Sequence, residues 1–206
     1  EWQELGPLEF NYSDPLGSFG FDISLSGSRL VVGTYNSGHA LVFKKVNKQW
    51  SLIHDLTPEN IDQNISFGRF VKLSGNHLVI GETNSSNIYV YHFDGDTLSP
   101  PNFLDEGFAN THRYFDVKDN TMIITDRNNL DNNPSGAKVY EWINEAWVFI
   151  HELQSFDSKR GYYNDVLIDG DEVLIGDVIS GQRGYRNGAA YWITGIGDLI
   201  YKDEFE

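Results

Sequence analysis

Two polar segments carry the residue types best suited to chemistry. The first, "DRNNLDNNPSG" (126–136), sets Asp126, Asn128, Asp131 and Asn133 at near-alternate positions. A hard cation such as calcium gathers oxygen ligands of this kind, so Asp126, Asn128 and Asp131 are the candidate ligands for a Ca2+, although the leading reading is a plain turn with no cofactor. The same residues are ordinary turn formers, and their spacing is not that of an EF-hand. The second, "DVISGQRGYRNG" (177–188), brings Asp177 together with Arg183, Tyr185 and Arg186 among glycines. Two arginines flanking a tyrosine suit a carboxylate or sulfate, or a stacked sugar ring; a bare loop tip is the plain alternative. Tyr35, with Tyr12, Phe108, Tyr162 and Tyr163, falls in polar stretches where an aromatic ring would serve as a sugar platform.

Other chemistry is missing from the chain. It has no nucleophile elbow, P-loop, dinucleotide fingerprint or His-Glu-x-x-His. Its 6 histidines do not cluster by spacing along the chain, and His54 and His151 share one local context, "LIHDL" and "FIHEL", which points to a structural role. A glycosidase would need two carboxylates about 5–10 Å apart, and 30 acidic residues single out no pair. The absence of cysteine excludes disulfides and thiolate sites. The net charge of -15 argues against nucleic acid and anionic membrane surfaces, which reward Lys and Arg. No apolar run approaches the ~18 residues of a membrane helix, so membrane insertion is not expected. The chain starts at Glu1, which fits removal of an upstream segment, either a secretory leader or a trimmed end. Sequons at Asn11, Asn64 and Asn84 would place glycans on loops if the protein is secreted or at the cell surface.

The elements that would position these loops are written as a repeat. "LSGSRLVVGT" (25–34) returns as "LSGNHLVIGE" (73–82), "VKDNTMIITD" (117–126) and "IDGDEVLIGD" (168–177). The turn residues Gly27, Gly75, Asp119 and Gly170 recur 48, 44 and 51 residues apart. Each copy continues with a second apolar stretch (38–45, 87–93, 136–142, 188–194) and a last one (50–56, 98–104, 147–153, 198–205). These stretches are short, rich in β-branched and aromatic residues, and bounded by Gly, Asn, Asp and Ser, so they read as strands. Four antiparallel strands are marginal alone. The expected fold is all-β: a four-bladed β-propeller of four-stranded antiparallel sheets in one domain, 1–206, with blades at 19–56, 67–104, 111–153 and 162–205. Residues 1–5, "EWQEL", look like a further copy of the final strand. They would help close the ring, link subunits by strand addition, or belong to a larger propeller of which this is a fragment.

The order "FG", "LSG..LVIG", "G...V(Y/F)", "W.....L" resembles the FG-GAP repeat of integrin-α-like propellers and their secreted relatives, over nearly the whole chain. In the last two copies "FG" is replaced by Thr111-His112 and Tyr162-Tyr163, and the family's Asp-x-Asp-x-Asp-Gly calcium loop is absent. The resemblance implies a propeller and an adhesion-type role. On such a scaffold the long connections (34–38, 82–87, 126–136, 177–188 and 6–18, 57–66, 99–111, 154–162) share one face, the usual place for binding. The expectation is an extracellular, lectin-like module that binds a glycan or a protein partner there. A polysaccharide-active enzyme at the axis and a structural assembly protein are the alternatives.

Overall fold

The computed structural model describes residues 6–8, 16–34, 36–58, 66–82, 87–104, 113–126, 136–154, 163–177 and 189–196. It is all-β, with four antiparallel sheets in chain order. Sheet 1 holds β1 (Phe19–Ser26), β2 (Arg29–Thr34), β3 (Ala40–Val46) and β4 (Gln49–Leu56). Sheet 2 holds β5 (Phe70–Ser74), β6 (His77–Gly81), β7 (Ile88–Asp94), and two short pieces, β8 (Thr97–Leu98) and β9 (Asn102–Phe103), both paired to β7. Sheet 3 holds β10 (Arg113–Lys118), β11 (Thr121–Asp126), β12 (Gly136–Ile143) and β13 (Ala146–Gln154). Sheet 4 shows β14 (Tyr163–Asp169), β15 (Glu172–Asp177) and β16 (Ala189–Thr194). The strands expected at 198–205 and 1–5, and the asparagines of the three sequons, lie outside the described residues.

Local sequence accounts for the hairpins. The first turn residue of each opening hairpin has positive φ: Gly27 at 58°, Gly75 at 55°, Asp119 at 52° and Gly170 at 61°. Asn47-Lys48 and Asn144-Glu145 have positive φ at both residues, the geometry that matches strand twist in a two-residue hairpin. Sheets 1 and 3 share a bulge: Ile53 is extra between Val42↔His54 and Phe43↔Leu52, and Ile150 between Val139↔His151 and Tyr140↔Phe149. That bulge explains the paired "LIHDL" and "FIHEL".

The core lies between sheets. Alternate residues of a strand point to opposite faces. Leu78 and Ile80 of β6 therefore pack on Val31, Ala40 and Val42 of sheet 1, while Val79 of the same strand packs on Phe115, Met122 and Ile124 of sheet 3. Ile123, Ala137 and Val139 of sheet 3 meet Val166, Val173 and Ile175 of sheet 4. Both faces of sheets 2 and 3 are thus buried. The described elements of sheets 4 and 1 make no packing of that kind.

The same polar device fastens successive sheets. Each sheet's first strand is an edge, with N–H groups that need partners. Side chains of the preceding first strand supply them. Val71 N–H donates to Asp22 Oδ2 (2.8 Å), Leu73 N–H to Ser24 Oγ (2.9 Å) and Gly75 N–H to Ser26 Oγ (2.9 Å). At the next junction Asp119 N–H donates to Ser74 Oγ (2.8 Å), and at the third Ile168 N–H donates to Asp116 Oδ2 (2.8 Å). Asp116→Ala would strand the buried Ile168 N–H, an expected loss of about 1–3 kcal/mol. Urea titration should show it, and Asp116→Asn, which keeps an acceptor, should lose less.

Candidate functional site

The outer strand of sheet 2 is broken by its own sequence. In "LSPPNFL" (98–104), Pro100 and Pro101 bring no N–H to a ladder. Pairing to β7 therefore stops after Phe93↔Leu98 and resumes at Val90↔Asn102. Between them Ser99 N–H donates to His92 O (2.9 Å), and His92 N–H donates to Ser99 Oγ (3.0 Å). The break opens a groove of about 600 Å³ between sheets 2 and 3. Val90, Tyr91, His92 and Phe93 of β7, with Trp142 and Trp147, line its apolar part. Asn76, Asp94, Ser99, Asn102 and Glu145 supply its polar part. Asn76, Asp94 and Glu145 sit at short hairpin turns, so the groove lies at the end opposite the long connections.

The groove's wall is an aromatic cage. His92 stacks on Trp142 (5.0 Å between centroids, 10° between planes). His77 lies against Trp142 (4.8 Å) and Trp147 (4.9 Å), and its Nδ1 is 3.4 Å from His92 Nδ1. The indole N–H of buried Trp147 has no hydrogen-bond partner among the described residues. Burial, and then His92, hold His77 down at about 4 against an unfolded value of 6.5, with Asn120 pulling weakly the other way. A proton on His77 is thus bound more tightly by the unfolded chain. Stability should be full above about pH 6.5 and fall as pH drops toward 4. Acid titration followed by tryptophan fluorescence should show this slope, and His77→Gln should flatten it.

A second pocket, about 250 Å³, is lined by the first strands of all four sheets, through Phe21 and Asp22, Phe70 and Lys72, Tyr114 and Phe115, and Asp165, together with Arg69 just before β5. Its carboxylates hold main chain. Asp22 accepts from Ile23 N–H (2.9 Å) and Val71 N–H, and Asp165 from Val166 N–H (2.9 Å). Nearby Asp116, 3.9 Å from Lys72 Nζ, has its pKa raised, because burial outweighs its hydrogen bond to Ile168 and the lysine.

No family model matches this chain, and comparison with curated proteins finds no match. The groove and the inner pocket therefore stand on their own chemistry.

Of the residues picked out by sequence, Tyr35, Asn128, Asp131, Arg183, Tyr185 and Arg186 lie outside the described residues. Asp126 ends β11 and Asp177 ends β15, with only their backbone described. Both stand at one repeat position, and the residues there in sheets 1 and 2 clasp their own loops. Thr34 Oγ1 donates to His39 O (2.8 Å) and accepts from His39 N–H (2.9 Å). Buried Glu82 accepts from Tyr89 Oη and Asn87. Among the described residues no group of three or more His, Cys, Asp or Glu is placed to hold a metal ion. His54 Nε2 lies 2.7 Å from Asp96 O, a bridge from sheet 1 to sheet 2. Sequence reading missed the groove, although the Pro-Pro break and the nearby Trp142 and Trp147 were its signal.

Proposed function

We propose that this chain is an extracellular, lectin-like binding module, and that it holds a neutral glycan in the groove beside the broken strand of sheet 2. One observation carries the reading: an aromatic wall and an amide, hydroxyl and carboxylate rim meet in one cleft of ligand size. Sugar rings present apolar C–H faces and a belt of hydroxyls, which asks for that combination. The acidic surface fits a neutral ligand better than an anionic one. The inner-pocket carboxylates are engaged with N–H groups, which favours binding over carboxylate catalysis there.

The four sheets are read as blades of a propeller of FG-GAP type. The repeated junction supports this, since Ser24–Leu73 and Asp116–Ile168 use equivalent positions, as do Ser26–Gly75 and Ser74–Asp119. The exposure of Ile23 and Leu25 on sheet 1 and of Leu174 and Trp192 on sheet 4 supports an incomplete ring rather than one closed by these four sheets alone. Secretion or surface display, and calcium bound through Asp126, Asn128 and Asp131, remain proposals of the same reading.

A glycan array followed by calorimetry on the hits tests the function. Binding lost in Trp142→Ala and kept in Arg183→Ala/Arg186→Ala is the expected result. The reverse pattern would move the site to the long loops. A blank array with folded protein would overturn the glycan reading and leave a protein partner.

A further inference from the structure

The repeat shows what its own last face is built to meet. Val31, Val79 and Ile123 occupy one position in sheets 1 to 3, and each is buried against the following sheet. Their cross-strand partners Val42, Val90 and Val139 are buried with them. In sheet 4 the same two positions hold Leu174 and Trp192, also cross-strand partners. Among the described residues no following sheet packs on them: Leu174 is 45% exposed and Trp192 69%. Leu167, at the position of Ser24, Lys72 and Asp116, is 50% exposed beside them. The three line a shallow apolar hollow of about 310 Å³.

The opposite end of the array shows the matching half. Val71, Phe115 and Val166 occupy the position by which sheets 2 to 4 receive the sheet before them, and all are buried. The equivalent residue in sheet 1 is Ile23, 63% exposed, followed by Leu25 at 62%, where Leu73, Val117 and Ile168 are buried. Further out on that face Val32, Leu41 and Phe43 are buried with Leu8 and Leu16, so the open part of sheet 1 is the β1 strip. A monomer rarely leaves such apolar surface at both ends in water without a partner for it.

We propose that the outer face of sheet 4 docks onto the β1 face of sheet 1 in a second copy of this chain, head to tail, repeating the junction already made three times within the chain. Asp165 and Asp169 stand where Asp22 and Ser26 stand in sheet 1, the positions whose oxygens take N–H groups of the following sheet. The two faces differ, so the contact is heterologous: it closes into a ring if the rotation allows and otherwise continues as an open array. The surface is separate from the groove between sheets 2 and 3, so this inference does not depend on the proposed ligand.

Light scattering on a sizing column, from low micromolar to several hundred micromolar protein, tests it. The wild-type chain should associate as concentration rises. Trp192→Glu and Ile23→Glu each place a charge in one half of the junction and should each give a monomer. Mixing the two variants should restore a one-to-one complex, since each still offers one intact face. Both side chains are exposed, so circular dichroism should match the wild type; Leu174→Lys replaces Trp192→Glu if it does not. A wild-type chain that stays monomeric throughout, a variant that associates like the wild type, or a mixture that stays monomeric overturns the proposal. A monomer whose Trp192 is shielded from a soluble quencher does so by showing closure within one chain.

Discussion

Gly68→Ala is expected to lower stability by about 2–6 kcal/mol. Two costs combine. Gly68 has φ of +82°, where a non-glycine residue costs about 1–3 kcal/mol. A Cβ there would also fall 2.2 Å from His39 O, inside any permitted contact, and that oxygen belongs to main chain. Overpacking of this kind costs a further ~1–3 kcal/mol. The neighbouring Gly33 is pinned from the other side, since its Cβ would fall on Gly68 O. The two glycines let sheets 1 and 2 touch backbone to backbone, which is the physical content of the "FG" and of the glycine that ends "LVVG". Gly27→Ala is the control. It carries φ of +58° with nothing within 4 Å, so it bears only the first cost. Urea denaturation of both variants should place Gly68→Ala well below Gly27→Ala; equal losses would remove close approach as the reason for the motif.

Trp142→Ala is expected to weaken glycan binding by about 30-fold, close to 2 kcal/mol, the scale of a buried aromatic anchor at an interface. The side chain both lines the groove and stacks on His92. Its removal takes away the apolar platform and lets water reach His77, whose depressed pKa should move back toward 6.5. Trp142→Phe keeps a ring and should retain much of the affinity. Glu145→Gln, at the rim, should change selectivity among sugars more than overall stability. Affinity and thermal stability measured on the same samples separate ligand contact from packing. If Trp142→Ala binds as well as the wild type while its melting temperature falls, the ring is core and the groove is not the site.

The strands were legible because each unit repeats its turn. "SGS", "SGN", "KDN" and "DGD" fall at the four opening hairpins, and the apolar alternation between them sets which residues point to which neighbour. The groove was not legible as a site, because it needs β7, the Pro-Pro break and two tryptophans from another sheet in one place. The junction bonds were also hidden. Ser24, Ser26 and Ser74 read as polar filler in a strand, and only the packing of sheets shows that they accept N–H groups about one repeat away. Exposed Trp192 and Leu174 looked like ordinary strand residues, because exposure depends on what stands opposite.

Each junction is marked by side chains of one first strand that accept N–H groups of the next: Asp22, Ser24 and Ser26 at the first, Ser74 at the second and Asp116 at the third. A unit of this kind carries its own instructions for joining its successor. Duplication or loss of one whole unit would leave the remaining joints unchanged, so the number of units is a variable that evolution can set without redesigning any of them.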